Sequence, residues 1–218
     1  MMMPLRGALG PLGVGRGGGI TYLLYDQFTT DLPAGSVNGT SAEPIGGTRT
    51  VTDTNSKLSI TGSQLSFASS GTLGEPRISY SIQTRTSGKT LIYKMNKTGG
   101  TYSSAGFSTS PSSTVSDVGM YFNGSNFQIR DTSGNNQTVG TIATATDYTI
   151  AVVLRSTGAY YYIKGGTYTN WTLLYISALN SANLYPAITG WDLVFTADNI
   201  RIPTSTWLPE PLAFDDGS

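Results

Sequence analysis

Short runs of two-residue alternation, each cut off by Gly, Asn or Ser, recur from Leu23 to Ile202 and leave room for little besides strands. In Arg77 to Gln83, RISYSIQ, the residues Ile78, Tyr80 and Ile82 share one side while Ser79 and Ser81 share the other, the period of a half-buried strand. Lys57 to Thr61 and Gln64 to Ala68 repeat the pattern. A turn at Gly62-Ser63 would set Leu58 and Ile60 against Leu65 and Phe67 in a hairpin. A second hairpin is predicted for VGMYF and SNFQIR around Asn123-Gly124, a pair that supplies the positive φ angles of a tight primed turn. Met120, Phe122, Phe127 and Ile129 would form its buried face.

Tyr148 to Leu154, YTIAVVL, is apolar on both sides and predicts a central strand. The aromatic run AYYYIK follows, in which Tyr161 should face away from Tyr160 and Tyr162. Further strands are predicted at Thr90 to Asn96, Ala105 to Ser110, Thr138 to Ala143, Trp171 to Ser177, Leu184 to Ile188 and Ala197 to Ile202. No run has the length and period of an ordinary helix. About fourteen or fifteen strands imply two packed antiparallel sheets of roughly six or seven each.

Composition narrows the role. Charged residues make up 12% of the 218-residue chain, against roughly 25% in ordinary domains, so hydroxyl and amide groups must keep the surface wet. That is an exterior type of surface. Thirteen basic and thirteen acidic residues cancel, and without a basic patch nucleic acid is not an expected partner. There is no Cys and no His, which removes disulfides, thiolate metal sites and the usual nucleophile and base sets for acyl transfer.

Residues 1–19 form a Gly/Pro-rich N-terminal arm, broken by Pro4 and Pro11 before any apolar stretch of signal-peptide length. The arm reads as neither secretory signal nor membrane span, so no membrane insertion is expected. A signal already removed is the alternative, which the initial methionines argue against. Residues 20–207 are expected to be one β-sandwich and residues 208–218 a Pro-rich C-terminal tail or linker. Asn-x-Ser/Thr triplets at Asn38, Asn96, Asn123, Asn136 and Asn170 arise readily by chance in so Ser/Thr-rich a chain.

Three segments carry a family resemblance: YDQF at Tyr25 to Phe28, the run from Thr146 to Tyr175, and ADNIRIP from Ala197 to Pro203. With the strand order, they make Tyr22 to Trp207 resemble the concanavalin A-like, or laminin G-like, jelly-roll domains of phage and other virion proteins and of secreted carbohydrate-binding modules. The resemblance implies an all-β fold, a two-sheet antiparallel jelly-roll sandwich. Glucanases of that fold carry an E-x-D-x-E strand, and retaining hydrolysis needs two carboxyl groups about 5 Å apart. Here Glu43, Glu75 and Glu210 each precede a proline, and E-x-D-x-E is absent. No enzyme is therefore expected, unless an acidic pair lines a groove across one sheet.

The resemblance also places the first and last strands side by side, bringing Asp26 near Asp198 and Asn199. With backbone carbonyls these could hold a structural calcium ion, the only cofactor considered. The alternative is that Asp198-Asn199 caps a turn and Asp26 bonds backbone amides. Tyr160, Tyr162, Tyr168 and Trp171 are candidates for stacking on sugar rings; plain β-propensity also accounts for them.

The expectation that follows is a non-enzymatic virion structural protein, a bacteriophage capsid decoration or a tail or fibre component, anchored by its N-terminal arm. It would be made in the host cytoplasm and displayed on the virion surface, with other virion proteins, copies of itself and host-surface glycan as partners. The alternative is a lectin-like carbohydrate-binding module.

Overall fold

The computed structural model describes residues 20–81, 88–130, 136–178 and 183–207. The N-terminal arm, the C-terminal tail and the pair Ile82-Gln83 lie outside them. The described residues form sixteen strands and no helix. In chain order these are β1 (Tyr22–Asp26), β2 (Pro44–Ile45), β3 (Arg49–Thr52), β4 (Leu58–Thr61), β5 (Gln64–Phe67) and β6 (Arg77–Tyr80). Next come β7 (Thr90–Gly99), β8 (Tyr102–Ser108), β9 (Val118–Asn123), β10 (Asn126–Arg130) and β11 (Asn136–Thr141). The last five are β12 (Asp147–Arg155), β13 (Gly158–Gly165), β14 (Tyr168–Ser177), β15 (Tyr185–Thr189) and β16 (Val194–Pro203).

Every pairing is antiparallel, and the strands divide into two sheets, the sandwich that the alternation implies. One has seven strands in the order β11-β10-β9-β8-β15-β6-β3. The other has nine, β14-β13-β12-β7-β16-β1-β2 with the β4-β5 hairpin attached to β16. It exceeds the expected size because one flank of β16 serves two partners in succession. Phe195 to Ala197 pair with β5, and Ile200 to Pro203 pair with β1. The change falls at Asn199, whose φ of 51° marks a bulge that re-aims the strand.

Both predicted hairpins form. Leu58 pairs with Phe67 and Ile60 with Leu65, and Gly62 and Ser63 both carry positive φ, as a type I′ turn requires. In the second hairpin Asn123 pairs with Asn126, which moves the two-residue loop to Gly124-Ser125 with Gly124 at φ 61°. Gly first in the loop is the type II′ arrangement, so the turn lies one residue beyond Asn123-Gly124. Met120, Phe122, Phe127 and Ile129 are fully buried, and Phe127 meets Phe122 and, across the sandwich, Tyr148 edge-on. β12 is central, between β7 and β13. Ser79 is also buried, because the segment after β8 crosses that side of β6 and Pro111 accepts its hydroxyl.

Between the sheets lies a charged cluster. Asp26 of β1 is fully buried and receives Arg49 of β3 bidentately, Nη2 to Oδ1 at 2.7 Å and Nε to Oδ2 at 2.8 Å. Tyr80 of β6 donates its hydroxyl to Oδ2 at 2.9 Å, and the amides of Phe28 and Glu43 donate to Oδ1. The Arg49 Nη1 donates to Thr40, and the guanidinium lies over the Phe28 ring. Burial, with the Asp26 charge beside it, pushes the Tyr80 hydroxyl well above its ordinary range, so it stays a protonated donor.

Glu43, 3.5 Å from Arg49, takes the hydroxyl and amide of Thr30. The Thr30 hydroxyl foremost, then its amide and the Arg49 charge, hold the Glu43 carboxyl at about 2 instead of 4.5, although partial burial opposes this.

Removing one member of a buried pair strands the other. Arg49→Met should cost about 3–5 kcal/mol in urea unfolding at neutral pH. Because the Glu43 carboxyl is depressed in the folded state, its contribution is complete above 4.5 and is lost as pH falls toward about 2. Glu43→Gln should therefore lower stability at neutral pH and flatten that part of the acid limb, as read by thermal melts across the pH series.

Candidate functional site

The parity that sends one set of side chains into the core lifts the other onto the outer face of the seven-stranded sheet. With Phe107, Phe122, Phe127 and Ile188 turned inward, the outward set is Tyr102 and Ser104, Tyr121 and Asn123, Gln128 and Arg130, and Thr189. They form the floor of a groove of about 370 Å³, within the usual range for ligand sites of roughly 300–1,000 Å³. Leu73, Thr114, Val115 and Trp191 rise as its walls.

The walls are fixed by backbone contacts. Trp191 stacks on Tyr102, centroids 5.1 Å apart and planes 26° from parallel. Its carbonyl accepts the amides of Ser70 and Gly71 and the Ser70 hydroxyl. The following residue, Asp192, uses Oδ1 to accept the amides of Tyr102 at 2.6 Å and Thr101 at 3.2 Å, which ties the two aromatic residues together. Gly100 makes this approach sterically feasible: its φ is +74°, and a Cβ there would lie 1.8 Å from the Asp192 carbonyl oxygen. Beside Thr114 and Val115, Arg77 donates to the carbonyls of Ser112 and Ser113, and Asp117 accepts the amide and hydroxyl of Thr109.

The floor is a neutral hydrogen-bonding surface with one cation. Ser104 and Thr189 share a 2.7 Å hydroxyl contact, Asn123 donates to Gln128, and Gln128 donates to Thr138. Arg130 Nη1 donates to the Tyr121 hydroxyl at 2.8 Å. Burial pushes that hydroxyl up, partly offset by the Arg130 charge. Among the described residues no carboxylate lines the groove.

The residues singled out from sequence lie elsewhere. Tyr160, Tyr162 and Trp171 do converge, on the outer face of the nine-stranded sheet, but they pack in one cluster with Trp207, which lies against Tyr162 and Trp171. It meets Trp171 at 4.9 Å and Tyr162 at 5.8 Å, both edge-on, above Ile92, Ala151 and Val153. Trp207 is only 4% exposed, so this cluster is a second small core. Tyr168 turns to the inner side, where its hydroxyl accepts the Thr141 amide at 3.3 Å. Tyr161 faces inward, as alternation predicts.

β1 and β16 are neighbours, with Asp26 opposite Ile200. Asp26 nevertheless points inward and is saturated by Arg49, Tyr80 and backbone amides. Asp198 faces outward, where it accepts the amide and side chain of Asn199 and lines a 40 Å³ hollow with Asp147 and Lys94. Burial raises its carboxyl above 3.8. Asp26, Asp198 and Asn199 therefore do not assemble into one calcium ligand set. Among the described residues no cluster of three or more His, Cys, Asp or Glu could hold a metal.

Among solved structures the fold is similar to a β-1,3-glucanase from Mycobacterium marinum, with TM-score 0.53, 14% identity, 85% of this chain and 99% of that one covered. It is also similar to the Trypanosoma rangeli sialidase, with TM-score 0.50, 14% identity, 82% of this chain and 30% of that one covered. A GH43 protein from Bacillus licheniformis gives 0.54, 11%, 82% and 39% in the same order. The chain thus spans less than half of the latter two. No protein-family model matches the chain, and no curated protein matches it.

At these identities the likeness is one of fold. The fold is shared with carbohydrate-active proteins, and this overturns the expectation of a non-enzymatic bacteriophage structural protein. The expectation of no enzyme rests on the missing E-x-D-x-E motif, which marks one glucanase pattern and not every enzyme of this fold.

Gly100→Ala should lower stability by about 2–4 kcal/mol in thermal denaturation, since the added Cβ meets rigid backbone.

Proposed function

We propose that the chain is a carbohydrate-active domain whose groove on the seven-stranded sheet binds a run of sugar residues, carried by a concanavalin A-like jelly-roll sandwich over residues 20–207. The observation that carries this reading is the Tyr102–Trp191 stack standing beside a floor of amides and hydroxyls. Aromatic faces cover the apolar C–H faces of pyranose rings, while Asn123 and Gln128 offer directional partners to sugar hydroxyls; Ser104 and Thr189 are buried and bond each other. The fold shared with a glucanase, a sialidase and a GH43 protein supports the same class of ligand.

The lining runs from Thr189 of β15 to Asn136 of β11, across five adjacent strands about 4.8 Å apart, so it suits an oligosaccharide better than a single sugar. The Asp192 anchor makes the aromatic wall rigid before binding, which limits the ordering cost of association.

A glycan array followed by titration calorimetry on the full chain tests this reading. Trp191→Ala and Tyr102→Ala should each weaken the binding found by about tenfold or more, whereas Trp171→Ala should leave it unchanged. Binding that survives both groove variants would sink the proposal. Release of reducing ends from the bound saccharide, followed in the same samples, reads turnover.

A further inference from the structure

Arg130 is the one charged side chain among the described residues that line the groove. It ends β10 on the outward face, opposite Asn136 of β11. Its guanidinium is oriented, with Nη1 donating to the Tyr121 hydroxyl and Cζ lying 5.8 Å from the Tyr121 ring centre. Among the described residues it makes no ion pair. The carboxylates behind the walls are turned to other work: Asp117 caps Thr109, and Asp192 holds the amides of Thr101 and Tyr102. The groove therefore offers a positioned cation, neutral donors beside it and no acidic group in its described lining to repel an anion.

We propose that the groove selects glycans bearing a sugar carboxylate, a uronic or a nonulosonic acid, with Arg130 receiving the carboxylate while the Tyr102–Trp191 wall covers a ring. This rests on the groove being a glycan site. A guanidinium presents a planar fork of donors that matches the two oxygens of a carboxylate, and a charge-assisted pair is stronger than a contact with a neutral hydroxyl. The Tyr121 contact limits the freedom of the Arg130 side chain, so less entropy is lost when the acid docks. A neutral sugar at the same position would meet the cation with hydroxyl oxygens alone. The surrounding floor, built of amides and hydroxyls, discriminates little by charge, so the preference depends on this one residue.

The test compares matched probes on the full chain by calorimetry: oligogalacturonate against its methyl ester, and 3′-sialyllactose against lactose. At least one acid should bind about tenfold more tightly than its neutral counterpart, and added salt should narrow that gap. The acid with the larger ratio identifies the sugar. Arg130→Gln should bring acid and neutral partner to within about twofold, while Arg130→Lys, which keeps the charge and loses the fork, should fall between. Equal affinity for acid and neutral partner in the wild type, with both weakened by Trp191→Ala, overturns the acid preference and leaves the glycan site standing. A wild-type preference that persists unchanged in a folded Arg130→Gln also overturns the assignment to Arg130. No binding to any of the four probes or to any arrayed glycan overturns both readings.

Discussion

The bidentate pair of Asp26 and Arg49 is the contact on which the geometry of the sandwich rests. A buried ion pair adds little net stability over well-packed apolar groups, so its importance lies in what it fixes. Asp26 belongs to the nine-stranded sheet, while Arg49 and Tyr80 belong to adjacent strands of the seven-stranded one. Five donors converge on one carboxylate, and slippage of either sheet would leave charge unpaired in a dry interior. The inward set of β6 is thereby held in place, and β6 pairs with β15, which pairs with β8. The outward residues of those strands, Thr189, Ser104 and Tyr102 among them, inherit that register and become groove floor. The groove thus follows from the core arrangement on the opposite side of the same strands.

The two outer faces show how one alternation yields different results. Each carries aromatic residues at the spacing that a strand dictates. On the nine-stranded sheet Trp207 returns over Tyr162 and Trp171, and Arg155 holds its carbonyl at 3.0 Å. On the seven-stranded sheet the segment after β8 packs over Ser79 and Ser104, through Pro111 and Ser116, and leaves Tyr121, Asn123, Gln128 and Arg130 half-buried along the groove. Arg77 contributes to this by holding the Ser112 and Ser113 carbonyls, which keeps the neighbouring Thr114 and Val115 upright as a wall. An aromatic residue recognises a ligand only where nothing from its own chain has taken its face.

Much of the fold is legible in the sequence because the alternation of Leu58, Ile60, Leu65 and Phe67, or of Met120, Phe122, Phe127 and Ile129, arises from burial on one side. β2 and β3 escape that reading. RTVT at Arg49–Thr52 has no apolar period, and a buried arginine cannot be told from an exposed one without its distant carboxylate. Asp26 is misleading for the same reason, since its partners lie 23 and 54 residues away. The groove is harder still: its floor is shared by several strands, and each residue alone reads as an ordinary solvent-facing polar side chain. One signal was within reach, the outward set of a single hairpin, Tyr121, Asn123, Gln128 and Arg130, which gathers an aromatic ring, two amides and a cation on one surface. The consecutive tyrosines at 160 to 162 are conspicuous in the sequence, yet the side chain that packs on Tyr162 comes from Trp207, 45 residues further on.

A crystal structure of the full chain soaked with a bound oligosaccharide tests the central claim most directly. The account predicts sugar density along the outer face of the seven-stranded sheet, a ring packed on the Tyr102–Trp191 wall and hydroxyls within hydrogen-bond distance of Asn123 or Gln128. Sugar bound instead over Tyr160, Tyr162 and Trp171, with Trp207 displaced, would contradict it.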